Sequence, residues 1–410
     1  MSNAPADLAA RARAQDAADP LRSLRDRFAL PADLIYLDGN SLGPLPKGTA
    51  ARLEQVVAGE WGDGLIRSWN AAGWIDLPQR VGARIAPLIG AAPHEIIACD
   101  TVSTNLFKLI AAALAMRPGR KAVLSEPGNF PTDLYMIAGL EAQGLAERRL
   151  AVRADLTSAL DGDVALLLLT HVHYKTGSLH DIAALTQAAH DAGALVLWDL
   201  SHTVGALPVD LNAAAADFAV GCGYKYLSGG PGAPGFAFVA ERHHEALQQP
   251  LTGWMGHAAP FAFADDYRPA PGVTRLLTGT PPILSLAALE EGVKVMAEAG
   301  VEALWAKSRD LSQFFLECLG ETELELVSPA DPMQRGSQLA FRHHAAYAIS
   351  QALIARGVIG DFRDPDILRL GFAPAYLRFA DVASAAAQLR DILATQAWDR
   401  DEYRQRAAVT

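Results

Sequence analysis

Between residues 83 and 240, short and wholly apolar runs alternate with segments whose apolar residues recur at i, i+3 and i+4. Continuous apolar runs of strand length mark strands buried on both faces, and the 3.6-residue period marks helices packed on one side. Runs at 121–125, 164–170, 194–198, 217–221 and 236–240 predict strands; 105–116, 133–147 and 180–192 predict helices. This alternation predicts the α/β class, a mostly parallel sheet covered by helices. Beyond Pro281-Pro282 the pattern changes. Long helices at 283–300 and 301–319 lead into short strands near 324–327 and 338–342, a helix at 345–356, a strand near 367–370 and a helix at 382–395. These predict a second, smaller α+β unit.

A chain of 410 residues, 50% apolar and 20% charged, has ample material for a large core, which excludes disorder and a disulfide-stapled miniprotein. The 35 Lys and Arg against 46 Asp and Glu leave a net charge of −11. With no basic cluster, this argues against a nucleic-acid or membrane partner. Cys99, Cys222 and Cys318 each sit in apolar stretches without a Cys-x-x-Cys pair, as expected in a reducing compartment. No run is long enough to span a membrane and no signal-peptide core is seen, so a soluble cytoplasmic protein is expected. His171 and His173 would share one strand face, but no third ligand has metal spacing, and no metal is expected.

The chemistry concentrates between 194 and 226. One apolar strand ends in Trp198-Asp199-Leu200-Ser201-His202, and the next is followed by Gly223-Tyr224-Lys225-Tyr226. In an open parallel sheet, residues just past the carboxyl ends of strands line the ligand crevice. A carboxylate and a lysine together there suit pyridoxal 5'-phosphate: the amine bonds the aldehyde and the carboxylate keeps the ring nitrogen protonated. Taken alone, Asp199 reads equally as a helix N-cap and Lys225 as an exposed loop lysine. Thr101-Val102-Ser103-Thr104-Asn105 opens a helix, where free N–H groups suit a phosphate, although a plain Thr cap fits as well. Gly128-Asn129-Phe130-Pro131-Thr132-Asp133 offers an aromatic face for the ring, or a core phenylalanine.

The motifs Tyr36-Leu37-Asp38-Gly39-Asn40-Ser41-Leu42-Gly43, Leu65-Ile66-Arg67-Ser68-Trp69, Phe130-Pro131-Thr132-Asp133 and Tyr224-Lys225-Tyr226-Leu227, with Gly279-Thr280-Pro281-Pro282 and Ile367-Leu368-Arg369-Leu370, make the specific match. On these the chain resembles the kynureninase family, fold-type-I pyridoxal phosphate enzymes, from about residue 30 onward. The resemblance implies a mostly parallel central sheet in a large domain plus a smaller C-terminal α+β domain. We read residues 1–50 as an N-terminal segment packing on the small domain, 51–282 as the cofactor-binding domain and 283–410 as the small domain. It further implies Lys225 as the Schiff-base lysine and Asp199 as the ring-nitrogen partner, both catalytic; Tyr224, adjacent to the lysine and near the phosphate, is expected on that placement to relay protons. Val102, Ser103 and Tyr224 become phosphate-side contacts and Phe130 the stacking ring. Pro131, Thr132, Asp133, Thr170 and His202 stand at cofactor positions. Trp254 and Thr280 reach the phosphate of the neighbouring subunit of a homodimer with a shared active site. Arg369 is the clamp for the substrate α-carboxylate, with Arg378 as competitor, and Ser41 and Trp69 stand on the substrate side. The implied reaction hydrolyses L-kynurenine, or its 3-hydroxy form, to anthranilate (or 3-hydroxyanthranilate) and L-alanine, in tryptophan catabolism by the kynurenine pathway toward NAD biosynthesis. A cysteine desulfurase, an aminotransferase and a non-catalytic scaffold are the rivals.

Overall fold

The structure is a computed structural model and describes residues 4–406. Its centre is a seven-stranded sheet in the order 96–98, 235–239, 218–222, 195–199, 164–170, 122–125, 147–150. The five strands from Phe218–Cys222 to Glu147–Leu150 run parallel, and Gly235–Val239 pairs antiparallel with both Phe218–Cys222 and Ile96–Ala98. The predicted strands appear within a residue or two of their expected bounds. Successive residues of Val164–Thr170 feed opposite layers: Leu166 and Leu168 pack with Leu106, Leu109 and Ile137, while Leu167 and Leu169 pack with Val81, Ile85 and Ile182. Covered on both faces, such a strand has no polar side, and hence its unbroken apolar run.

From Ala122–Ser125 the chain goes outward to the edge strand Glu147–Leu150, then returns to Val164–Thr170 on the other side. That reversal opens a crevice beyond the carboxyl ends of 122–125 and 164–170, where an α/β sheet binds its ligand. The expected helix 133–147 is corrected here. It runs Pro131–Ala142; Gly144, at φ 74, turns the chain, and Glu147–Leu150 forms the edge strand. A glycine in the left-handed region ends a helix at little cost. The strand Glu-Arg-Arg-Leu carries no apolar signal because three of its four residues are solvent-exposed, as edge strands often are.

The C-terminal part carries helices Ile283–Ala299 and Val301–Leu319 and a four-stranded antiparallel sheet in the order 361–363, 367–371, 338–342, 325–326. Residues near the N-terminus lie against this part. Ile35–Tyr36 pairs parallel with Val358–Ile359, and Leu37 accepts a backbone hydrogen bond of 2.7 Å from Gly371. Asp16 accepts the Phe379 N–H at 2.7 Å and the Ala380 N–H at 3.1 Å, and Asp19 pairs with Lys307 at 2.7 Å.

At the entry of Phe218–Cys222, buried Asp217 ties two strands together. Its carboxylate accepts from Val196 N–H (2.8 Å), His190 (2.8 Å), His243 (2.7 Å) and Arg242 (2.7 Å). Although burial works against the charge, the bonds from His243, His190 and Val196 hold this carboxyl down at about 2. A folded pKa below the unfolded value of about 3.9 stabilises the native state above pH 4 by roughly 2–3 kcal/mol, lost as pH falls from 4 toward 2. Asp217→Asn is therefore expected to lower the thermal midpoint at pH 7, with the gap to the parent narrowing below pH 4. A gap independent of pH in melting curves would contradict this.

Candidate active site

Lys225 follows the strand Phe218–Cys222 by three residues and is 8% exposed. Its Nζ lies 3.4 Å from His202 Nε2, 5.7 Å from the centre of the Phe130 ring and 5.8 Å from that of Tyr224. Asp199, the last residue of Leu195–Asp199, is buried, and its Oδ1 accepts the Ser201 N–H at 2.7 Å. It thus does part of a cap's work and keeps Oδ2 for another partner. Burial raises its carboxyl pKa, and the Ser201 side chain, then the Lys225 charge, pull it back. Burial, aided by the Lys225 charge, pushes His202 well below its ordinary range, so the ring is neutral.

Asp133 sits in the first turn of Pro131–Ala142, wholly buried. Asn129 donates to its Oδ2 at 3.3 Å, while Oδ1 has no partner among the described residues. Burial and the nearby Asp199 charge raise its pKa well above the usual range. Thr170 ends the strand Val164–Thr170; its N–H donates to Asn129 Oδ1 at 3.2 Å, and its buried hydroxyl has no partner among the described residues. Phe130 stands edge-on to Tyr174, with ring centres 5.3 Å apart. The Thr101 hydroxyl caps Val102–Met116 through Thr104 N–H at 3.2 Å, and the Val102 and Ser103 N–H groups donate to nothing among the described residues. Tyr224 is half-buried beside Cys222, and burial raises its phenol pKa above the ordinary value.

Val102, Phe130, Thr170, Asp199, His202, Tyr224 and Lys225 line one small cavity with Val172 and Ser201. Ser103, Pro131, Thr132 and Asp133 adjoin it in the two helix starts. Orphaned buried oxygens on Thr170 and Asp133, free N–H groups at a helix start and an aromatic face fit a planar, phosphate-bearing cofactor.

Ser41 and Arg369 form a second cluster. Arg369, 1% exposed, binds Asp361 through two N–H groups and donates to Ser41 Oγ at 2.9 Å. Arg378 instead pairs with Asp381 three residues on and is half-exposed, so Arg369 is the buried candidate of the two. Trp69, Trp254 and Thr280 stand outside the cavity. Trp69 packs edge-on to Trp74 at 6.0 Å, Trp254 lies exposed against Phe261 at 5.7 Å, and Thr280 is exposed. Asn129, Asp38 and Asp361 escaped the sequence reading as site residues. The first two lie inside motifs quoted for their neighbours, and Asp361 stands in a short strand with no pattern to mark it.

Residues 304–389 match the kynureninase C-terminal domain family. A kynureninase of Burkholderia mallei (strain SAVP1) is 53% identical over 97% of this chain and 99% of its own length, and one of Pseudomonas fluorescens is 47% identical over 97% and 98%. The chain belongs to the kynureninase family. Among solved structures, this family member resembles a cysteine desulfurase of Thermococcus onnurineus NA1 (TM-score 0.77, 18% identity, 91% of this chain and 98% of that one). It also resembles a C-DES variant with glycine covalently linked to its PLP cofactor (TM-score 0.79, 17% identity, 90% and 99%). At these identities the likeness is one of fold, the fold-type-I architecture.

In this kynureninase-family chain, Gly43 presses on the lysine loop. Its N–H donates to Tyr224 O at 2.8 Å, and a Cβ there would collide with Lys225 O and Ser228 Oγ and lie 2.8 Å from Ser228 Cα. Backbone cannot yield as a flexible side chain does. Gly43→Ala is expected to cost about 1–3 kcal/mol of stability and to weaken cofactor retention, read by thermal unfolding and by cofactor absorbance after dialysis. Parent-like retention would show that the loop has room.

Proposed function

We propose that this chain binds pyridoxal 5'-phosphate at the Lys225 cavity and hydrolyses the Cβ–Cγ bond of L-kynurenine, or of its 3-hydroxy form, to anthranilate (or 3-hydroxyanthranilate) and L-alanine. The observation that carries this is the Lys225, Asp199, His202 and Phe130 constellation in a chain 53% identical to a kynureninase over nearly its whole length. When bound, the cofactor supplies an electron sink for carbanions at substrate carbons. Lys225 would hold it covalently and, as a free amine, would move the substrate α-proton. Asp199, with Oδ2 unclaimed by the Ser201 turn, holds the proton on the ring nitrogen. Asp133 and the Thr170 hydroxyl complete the cofactor's polar edge, between Pro131 and Thr132 at the helix start and neutral His202. Phe130 stacks on the ring, and Val102 and Ser103 N–H groups take the phosphate with the Tyr224 hydroxyl. That hydroxyl, protonated at neutral pH, is poised to pass protons as water adds at the γ-carbonyl. Arg369 and Ser41 receive the α-carboxylate.

Trp254 and Thr280 are exposed, as residues serving a neighbouring subunit's phosphate would be, and a cleft of about 570 Å³ lined by Leu30, Leu34, Leu42, Leu45, Leu53 and Leu284 gives an apolar face for a homodimer. Trp69 would face the substrate from that side. The domain division follows the same reading: 51–282 for the cofactor, 283–410 as the small domain, and 1–50 packed on the latter. Three cysteines without disulfides favour the cytoplasm, and no helix among the described residues is long and apolar enough to cross a membrane. The place of such a reaction is tryptophan catabolism, in the kynurenine pathway that leads toward NAD biosynthesis. A desulfurase needs an accessible thiolate; here all three thiols are buried, and burial raises each pKa, that of Cys99 to about 12.

L-Kynurenine is expected to give anthranilate and L-alanine in equal amounts, measured together; pyruvate or glutamate-dependent products would overturn the reading. Lys225→Ala is expected to abolish both turnover and the borohydride-fixed label at this position. Tyr224→Phe is expected to slow turnover by about 100-fold with far less effect on cofactor affinity. Unchanged turnover would remove its relay role.

A further inference from the structure

We propose that Asp361 aims Arg369 at the substrate's α-carboxylate, and that the Asp38 carboxyl beside it sets how much positive charge Arg369 offers. This rests on the reading of Arg369 given above. Asp361 and Arg369 face each other across two antiparallel strands, Asp361–Arg363 and Ile367–Gly371. Arg369 Nε donates to Asp361 Oδ1 at 2.8 Å and Nη2 donates to Oδ2, so one planar edge of the guanidinium is fixed by the protein. The other edge, Nη1 and Nη2, meets Tyr174 O at 2.5 Å and Ser41 Oγ at 2.9 Å. Both are neutral acceptors, which an ionised carboxylate displaces readily.

Two links tie that edge to the Lys225 cavity. Tyr174 carries the ring that abuts Phe130, and the Arg369 charge acts on His202, itself 3.4 Å from Lys225 Nζ. Ser41 Oγ donates to Asp361 Oδ2 at 2.7 Å, so the hydroxyl bridges the fixed edge and the free one.

The charge around this cluster is nearly balanced. Arg363 also pairs with Asp361 at 2.7 Å and donates to Ser41 Oγ at 3.1 Å. Against the push of burial, Arg369 and Arg363 keep Asp361 ionised. Asp38 adjoins the cluster through Ser41, whose N–H donates to the Asp38 backbone O at 2.9 Å, and its buried Oδ1 has no partner among the described residues; burial and the Asp361 charge push its carboxyl up to about 7 although the Ser41 hydroxyl and Arg369 draw it down. The other ionisable groups facing it are the phenols of Tyr36, Tyr226 and Tyr376, all raised by burial and neutral throughout. With Asp38 protonated, two guanidinium groups oppose one carboxylate and a positive charge remains for the ligand. As pH rises through 7, Asp38 ionises and cancels it.

The test uses the holoenzyme, titrated with L-alanine and with ethylamine, the same amine without the carboxylate, and followed by cofactor absorbance. The ratio of the two affinities isolates the carboxylate. In the parent this ratio is expected to fall several-fold between pH 6 and 8.5. Asp361→Glu keeps the charge but displaces the fork, so L-alanine is expected to weaken about 10- to 100-fold while ethylamine stays within about twofold. Asp38→Asn, an isostere of the neutral acid, is expected to make the ratio flat with pH. Equal weakening of both ligands in Asp361→Glu, or an unchanged pH dependence in Asp38→Asn, would overturn the proposal. Should Asp361→Glu fail to hold cofactor, the Asp38→Asn titration decides alone. If L-alanine behaves as expected and L-kynurenine is not cleaved, the functional reading fails and this inference stands.

Discussion

Everything at this site depends on bringing ionisable groups out of water at the carboxyl end of one sheet. A lysine, two carboxyls and a neutral imidazole share the crevice, and burying any ion there would cost several kcal/mol. The protein meets only part of that cost with its own hydrogen bonds: Asp199 keeps one oxygen for the Ser201 turn, and Asp133 is left with an oxygen that nothing satisfies. A native interior rarely leaves such atoms bare. Their neighbourhood fits a polar ring whose own donors would satisfy what the protein leaves open.

A second buried charge cluster stands on the small C-terminal sheet and speaks to the first through backbone rather than through charge alone. The Tyr174 carbonyl accepts from Arg369 and also from Gln338 Nε2 at 2.9 Å, so two strands of the C-terminal sheet grip the loop that props Phe130. The Arg369 cluster and the support of the Phe130 ring are thereby joined by a single peptide group.

What was legible in the sequence follows from how each element earns its place. Val164–Thr170 and Leu195–Asp199 are wholly buried, so they must be apolar, and their ends could be read to within a residue. Asp199 and Lys225 were legible because one closes such a run and the other follows the next within three residues. Glu147–Leu150 was not, since an edge strand held by backbone bonds needs no apolar side chain. Asp361 was not either: its importance comes from the cross-strand register with Arg369, a long-range pairing that no local window contains. Asn129 holds both Thr170 and Asp133 in place, a role visible only once the two strand ends are side by side.

Gly43 has a wider consequence. Because the main chain at Gly43 touches that of the Lys225 loop, a segment far from that loop in chain order forms part of the wall behind Lys225. A deletion that reached as far as Gly43 would take away a support of the Lys225 loop rather than shorten a tail.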